Sequence, residues 1–226
     1  MDTDGGGWTV FYRRQDGSQS FVYDPIPFYS TGVASPSDRE FLVALYYIHL
    51  LTSANSGNNQ LLVEMEKAKE RAFALYDYFL IEMFGTDPLF YANDFAPYST
   101  AGNPLVAVSS APSDQDQPTS TCLDIFYSPY VGAGINCHAA TPFGDYGNDA
   151  RGQGITWSSW MGFDLSLDKI EFKVRANHCV SKTNGVCDTC ESGYDLIVDP
   201  TSGRVYCKSA ASSSNVCPVT QLLHLQ

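Results

Sequence analysis

Met1-Asp2-Thr3-Asp4-Gly5-Gly6-Gly7-Trp8-Thr9-Val10-Phe11-Tyr12-Arg13-Arg14 opens the chain with a polar, acidic lead and three glycines, followed by β-branched and aromatic residues. Glycine frees the backbone for a turn, and Trp8 to Arg14 has the composition of a strand closed by Asp16-Gly17. The glycines do not lead into the Lys-Ser/Thr pair that completes a phosphate loop, which removes a nucleotide reading. A second strand is as clear far downstream. There Ile170, Phe172 and Val174 alternate with Glu171, Lys173 and Arg175, the period-two pattern of a half-buried strand.

Between these strands the chain changes character several times. Pro25, Pro27 and Pro36 predict an irregular segment. Ser37-Asp38-Arg39-Glu40 fits a helix start, a hydroxyl cap with a glutamate three positions on, and predicts a helix through the apolar run to Leu51. Leu61 to Glu66 reads as a strand, and Glu66 to Arg71 as a charged turn or short helix. Ala72 to Met83 is rich in strand formers, with its alanines, Leu75 and Glu82 leaving helix as a competitor. From Thr86 to Gly154, Gly, Pro, Asn, Ser and Asp dominate and periodicity disappears. A loop-rich stretch that long inside a folded domain points to function.

Bulk properties narrow the function classes. The 226 residues suffice for one large domain, or one domain with an appendage. Thirteen basic against twenty-five acidic side chains give a net charge of −12, which repels phosphate backbones and anionic lipid and argues against nucleic acid or membrane partners. The longest apolar run, Phe41 to Leu51, falls short of the roughly 20 residues a membrane helix needs. None of the seven cysteines precedes Cys122, and five crowd the final fifty residues, a density that suggests an oxidising compartment. No hydrophobic leader opens the chain. The expectation is therefore a fragment of an extracellular, secreted protein, with one thiol left over from an odd count.

Taken together, several stretches resemble the fibrinogen C-terminal domain family. The opening block quoted above is similar to that family's opening signature. So are Arg39-Glu40-Phe41-Leu42 through Ile48-His49-Leu50-Leu51-Thr52, and Ser99-Thr100-Ala101-Gly102-Asn103-Pro104-Leu105. Gly154-Ile155-Thr156-Trp157 with Trp160, then Ser166-Leu167 and Lys173-Val174-Arg175, resemble its closing block. The resemblance spans residues 1–175 and implies an α+β fold. A central antiparallel sheet with short helices would carry a loop-rich lobe that holds calcium and a ligand pocket. It also implies a strand and a disulfide upstream of Met1.

Asp114 and Asp116 lie eight and six residues before Cys122, where the family keeps its calcium carboxylates, and the resemblance adds the backbone carbonyls of Pro118 and Ser120. The chemistry suits Ca²⁺, which takes six to eight hard oxygens from a flexible loop. Cys122 and Cys137 match the family's loop disulfide, and relatives carry a cis peptide where this chain has Asn136-Cys137. In acetyl-binding relatives, Cys137 and His138 would border the pocket, with Tyr146 beside them. The family's paired tryptophans between the cysteines are absent, and Tyr127 and Tyr130 are the candidate walls in their place. The implied ligand is an acetylated carbohydrate or an extracellular protein. Relatives assemble as oligomers through segments outside this chain, so a homo-oligomer is expected on the same footing.

Residues 176–226 form a separate small, polar, cysteine-rich appendage. Cys187-Asp188-Thr189-Cys190 admits zinc, with His178, Cys179 and Cys207 as further ligands. Beside an extracellular domain, the same spacing reads better as an EGF- or furin-like disulfide repeat. An enzyme is not expected. Asp114 and Asp116 sit two residues apart on a turn, and no serine, cysteine or histidine constellation supplies a nucleophile with a base. The leading function is a calcium-binding, lectin-like recognition module. The alternative is a structural matrix domain that has lost its acetyl pocket.

Overall fold

A computed structural model of the chain describes residues 7–21, 31–54, 58–84, 87–105, 140–184, 186–198 and 205–210. The chain divides into two compact units, one from Gly7 to Asn177 and the other beginning at His178. The larger is built on strands β1 (Thr9–Arg14), β2 (Phe41–Leu42), β3 (Asn59–Lys67), β4 (Glu70–Phe84), β5 (Asp87–Phe95) and β8 (Lys169–Ala176). They form one antiparallel sheet in the order β2-β1-β8-β3-β4-β5. The late strand β8 lies between β1 and β3, so the alternating segment read from sequence sits at the centre of the sheet. Helix α1 (Leu45–Ala54), the short pair β6 (Ala140–Thr141) and β7 (Thr156–Trp157), and a single helical turn α2 (Ser158–Met161) complete the unit. The fold is α+β, mostly sheet with few short helices.

The principal core packs on one face of the sheet around Phe172. Its ring meets Phe11, Tyr12 and Trp157 edge-on, at centroid distances of 6.0, 5.3 and 6.4 Å. On the other face Trp8, Leu62, Phe73, Leu75 and Ala96 form a smaller cluster. Burial on both faces explains Ala72 to Met83. Ala72, Ala74 and Tyr76 enter one cluster while Phe73 and Leu75 enter the other, so a run without clean alternation is strand β4 and not a helix.

Two expectations are corrected, and one open alternative is decided in favour of a turn. The helix does not begin at Ser37. Ser35 to Asp38 closes a turn of its own, through Asp38 N–H to Ser35 O at 2.8 Å and Ser35 N–H to the Asp38 carboxylate at 2.7 Å. Phe41-Leu42 pairs with β1, and α1 starts at Leu45. Glu40 serves a distant loop instead of a cap, as described below. Second, Glu66 to Arg71 is a two-residue hairpin turn, with Ala68 and Lys69 both at positive φ (51° and 73°), the conformation that suits the twist of the flanking strands. Asp168 holds it by accepting from Ala68 N–H at 2.7 Å and Lys67 Nζ at 3.2 Å. Third, the stretch from Thr86 is not loop throughout, since β5 forms the sheet edge. Pro88 and the positive φ of Asp94 (55°) obscure its pattern, and an edge strand tolerates both.

The smaller unit is two hairpins, β9 (Cys179–Thr183) with β10 (Val186–Cys190) and β11 (Tyr194–Val198) with β12 (Val205–Ser209). Disulfides join Cys179 to Cys187 and Cys190 to Cys207. The cysteines of the zinc alternative are thus paired as disulfides, as the preferred disulfide reading expects of this tail. His178 is also engaged elsewhere, its Nδ1 2.9 Å from Glu191 and its ring stacked on Tyr194 at 3.7 Å. No described helix is long and apolar enough to cross a membrane.

Candidate functional site

Strand β1 delivers Arg14 to the sheet end, where the loop Gln15 to Phe21 folds around one buried carboxylate. Glu40 Oε1 accepts the N–H groups of Gln15, Asp16 and Gly17 at 2.7, 2.9 and 2.9 Å, and Oε2 accepts that of Gln19 at 3.0 Å. Burial pushes the Glu40 carboxyl up, but the four backbone donors outweigh it and hold it below the usual carboxylate range. Arg14 Nε lies 3.6 Å from Glu40 Oε1, and its guanidinium stacks 4.2 Å over the Phe21 ring. Asp16 at the loop tip receives Arg39 Nε at 2.8 Å.

The segment 140–146 docks against this loop. Arg14 Nη1 donates to Gly144 O at 3.2 Å, and Tyr12 Oη donates to Pro142 O. Gly144 lies so close to Gly154 that a Cβ on it would meet the Gly154 carbonyl at 2.0 Å, so no larger residue fits there. Tyr146 rests its ring against Gly17, which takes φ +70°, and its hydroxyl lies 3.0 Å from Gln15 O and 3.3 Å from Asp168 O. Burial, then the carboxylates of Asp168, Glu40 and Asp16, push the Tyr146 hydroxyl up and keep it a donor. Between loop and segment lies a hollow of about 440 Å³ with Arg14 and Phe21 on one side and Asp145 and Tyr146 on the other.

Of the residues predicted from sequence, Tyr146 falls within this description. Asp114, Asp116, Pro118, Ser120, Cys122, Tyr127, Tyr130, Cys137, His138 and the Asn136–Cys137 peptide lie outside the described residues. Tyr146 borders the hollow as a wall with its hydroxyl already engaged by backbone. Sequence reading missed Arg14 and Glu40 as a pair, because a glutamate after Ser-Asp-Arg carries a local capping signal that outweighs any distant one. Among the described histidines, His49 lies 2.8 Å from Ile81 O and 3.1 Å from Ser53 Oγ, and His178 pairs with Glu191.

The model of the family described as fibrinogen beta and gamma chains, C-terminal globular domain, matches residues 1–177. The chain belongs to this family. Within it, human Tenascin-R is 36% identical over 182 residues, covering 79% of this chain, and human Tenascin-N is 31% identical over 77% of it. Fibrinogen C domain-containing protein 1 of Xenopus tropicalis is 34% identical over 77% of the chain and 40% of its own length. The chain spans 13% of the length of the two tenascins. Among solved structures, the fibrinogen-like globe domain of human ANGPTL6 superposes with a TM-score of 0.60 at 27% identity, covering 77% of this chain and 80% of that one. The globe domain of human ANGPTL2 gives 0.60 at 28%, covering 77% and 82%. The fibrinogen-type sheet and the Arg14–Glu40 loop thus fall within the matched region.

Proposed function

We propose that this fibrinogen-type globe is an extracellular, calcium-supported recognition domain whose work is binding and not turnover. The observation that carries the reading is family membership across residues 1–177, with Asp114 and Asp116 spaced to Cys122 as the family spaces its calcium carboxylates. Ca²⁺ takes those two carboxylates with the carbonyls of Pro118 and Ser120, and waters complete the shell. The ion holds the Cys122–Cys137 loop, and Cys137 and His138 offer backbone donors to an acetyl carbonyl. Tyr127, Tyr130 and Tyr146 wall the methyl. The cysteine-rich tail is an EGF- or furin-like extension of the same secreted protein.

Calcium titration of the full chain by calorimetry is expected to give a Kd of roughly 10⁻⁴–10⁻³ M, the range of two-carboxylate extracellular sites, and Asp114→Ala should abolish the heat. A glycan array with and without calcium tests the ligand. His138→Ala should lose binding to N-acetylated glycans with its near-ultraviolet spectrum unchanged. A blank array in both conditions refutes the acetyl ligand and favours a protein ligand. That second reading has its own observation. Helix α1 exposes Tyr46, Tyr47, Leu50 and Leu51 while Leu45, Ile48 and Thr52 bury the opposite side, and exposed aromatics of this kind are the residues protein interfaces favour.

A further inference from the structure

Among its described residues the smaller unit has almost no core. Val180, Leu196 and Val198 are exposed, while Cys187 and Tyr206 are its buried members among the larger apolar side chains described. Units this small hold their shape by covalent or metal staples. The sulfurs that staple it are gathered more tightly than two independent disulfides require. Cys187 Sγ and Cys207 Sγ belong to different disulfides yet lie 3.7 Å apart, and the sulfurs of Cys187, Cys190 and Cys207 all fall within 4.8 Å of one another. Cys179 is bonded to Cys187 and is also the register partner of Cys190 across the β9/β10 hairpin. Three of the four sulfurs are thus clustered, and the fourth, Cys179 Sγ, is bonded to one of them at 2.05 Å.

We propose that, on reduction, Cys179, Cys187, Cys190 and Cys207 bind one zinc ion as a tetrathiolate site, a second staple for the same hairpins. A Zn–S bond of about 2.3 Å sets the edge of a ZnS₄ tetrahedron at about 3.8 Å. The Cys187–Cys207 separation of 3.7 Å already has that length, and opening the two disulfides frees Cys190 and Cys179, each bonded to one of that pair, to take the remaining corners. Cys187 and Cys190 supply the Cys-x2-Cys pair that zinc sites favour. His178 stays outside the shell, held by Glu191 and Tyr194.

The chemistry balances. Four molecules of a small thiol of the glutathione class reduce the two disulfides to four protein thiols and become two small-molecule disulfides. Zinc then displaces four protons to give [Zn(SR)₄]²⁻. Two small-molecule disulfides reverse the process, taking up four protons, closing both protein disulfides and releasing Zn²⁺.

The test uses the full chain reduced with a phosphine under nitrogen. Cobalt titration should give one tetrahedral thiolate ion per chain, read from its intense visible d–d bands. Zinc should displace it, and the oxidised chain should bind neither. Cys190→Ser should weaken binding by more than about 100-fold, since even losing a ligand's hydrogen-bond partner costs roughly 10–100-fold. Cys217→Ser should leave it unchanged. Alkylation mapping of the unmutated chain removes any doubt about variant folding: zinc should shield Cys179, Cys187, Cys190 and Cys207 while Cys122, Cys137 and Cys217 react. Absent tetrahedral bands, shielding of a different set of cysteines, or full binding after Cys190→Ser would each overturn the proposal.

Discussion

A single buried carboxylate shows how much one residue organises here. Glu40 is fully buried, and four N–H groups and one guanidinium face it. Glu40→Gln keeps one acceptor oxygen but brings an NH₂ against backbone donors and strands Arg14, so it should cost about 2–4 kcal/mol at pH 7. The sign of its pH dependence follows from the depressed carboxyl. Its stabilisation is complete above the unfolded carboxyl's pKa of about 4.3 and is lost as pH falls through the lower folded value. Urea unfolding at pH 7 and pH 3 should therefore show the gap between wild type and variant narrowing in acid. Lys173 presents the mirror case. Glu64 and Glu171 are register partners on β3 and β8, and Lys173 Nζ joins both, at 3.1 Å from Glu171. Burial raises the Glu171 carboxyl, but Lys173 and then Lys169 outweigh it and hold it low. Lys173→Met leaves two acids facing each other where Glu171 is only 8% exposed. The expected loss is about 2–3 kcal/mol at pH 7, because Arg13 at 2.6 Å and Lys169 at 3.2 Å still neutralise Glu171. Thermal melts should show that loss shrinking towards pH 4, as one acid takes up a proton.

At the scale of the element, the β3–β4 hairpin carries a turn its residues do not favour. Ala68 and Lys69 both sit at positive φ, where non-glycine residues cost roughly 1–2 kcal/mol each, and the Asp168 contacts compensate. Ala68→Asn with Lys69→Gly supplies the pair this turn type prefers and should stabilise the unit by about 1 kcal/mol, measured as a higher urea midpoint at an unchanged slope. The same hairpin shows why sequence left a charged turn and a short helix both open: with no Asn-Gly signal, the stabilising carboxylate is a hundred residues away. Strand β8 was legible because one face is polar and the other apolar, whereas β4, buried on both, was ambiguous and β5, with Pro88, passed for loop. Helix α1 was expected in the right neighbourhood but several residues early. Phe41-Leu42 satisfies its backbone on β1, which local propensity cannot foresee.

For the whole molecule, the two units depend on different forces. Between Gly7 and Asn177, stability comes from a core gathered from both ends of the segment, as in the Phe11–Phe172 contact. From His178 onward it comes from disulfides. Removing one as Cys190→Ala with Cys207→Ala should cost the small unit about 3 kcal/mol, the chain entropy of releasing a loop of 17 residues. Exchange of amides in β9 to β12 should accelerate while those of β3 and β8 stay protected. The sequence by itself determined the family, from its opening and closing blocks, and strand β8, where apolar and charged residues alternate. It also set the acidic charge that disfavours phosphate partners and marked off a cysteine-rich tail. Tertiary structure alone decided that β8 lies between β1 and β3 and that Glu40 gathers a loop instead of capping a helix. It also decided that Tyr146 spends its hydroxyl on backbone carbonyls, and how four tail cysteines pair. Each of those outcomes depends on groups far apart in the chain meeting in a dry interior. Local periodicity carries no record of such meetings.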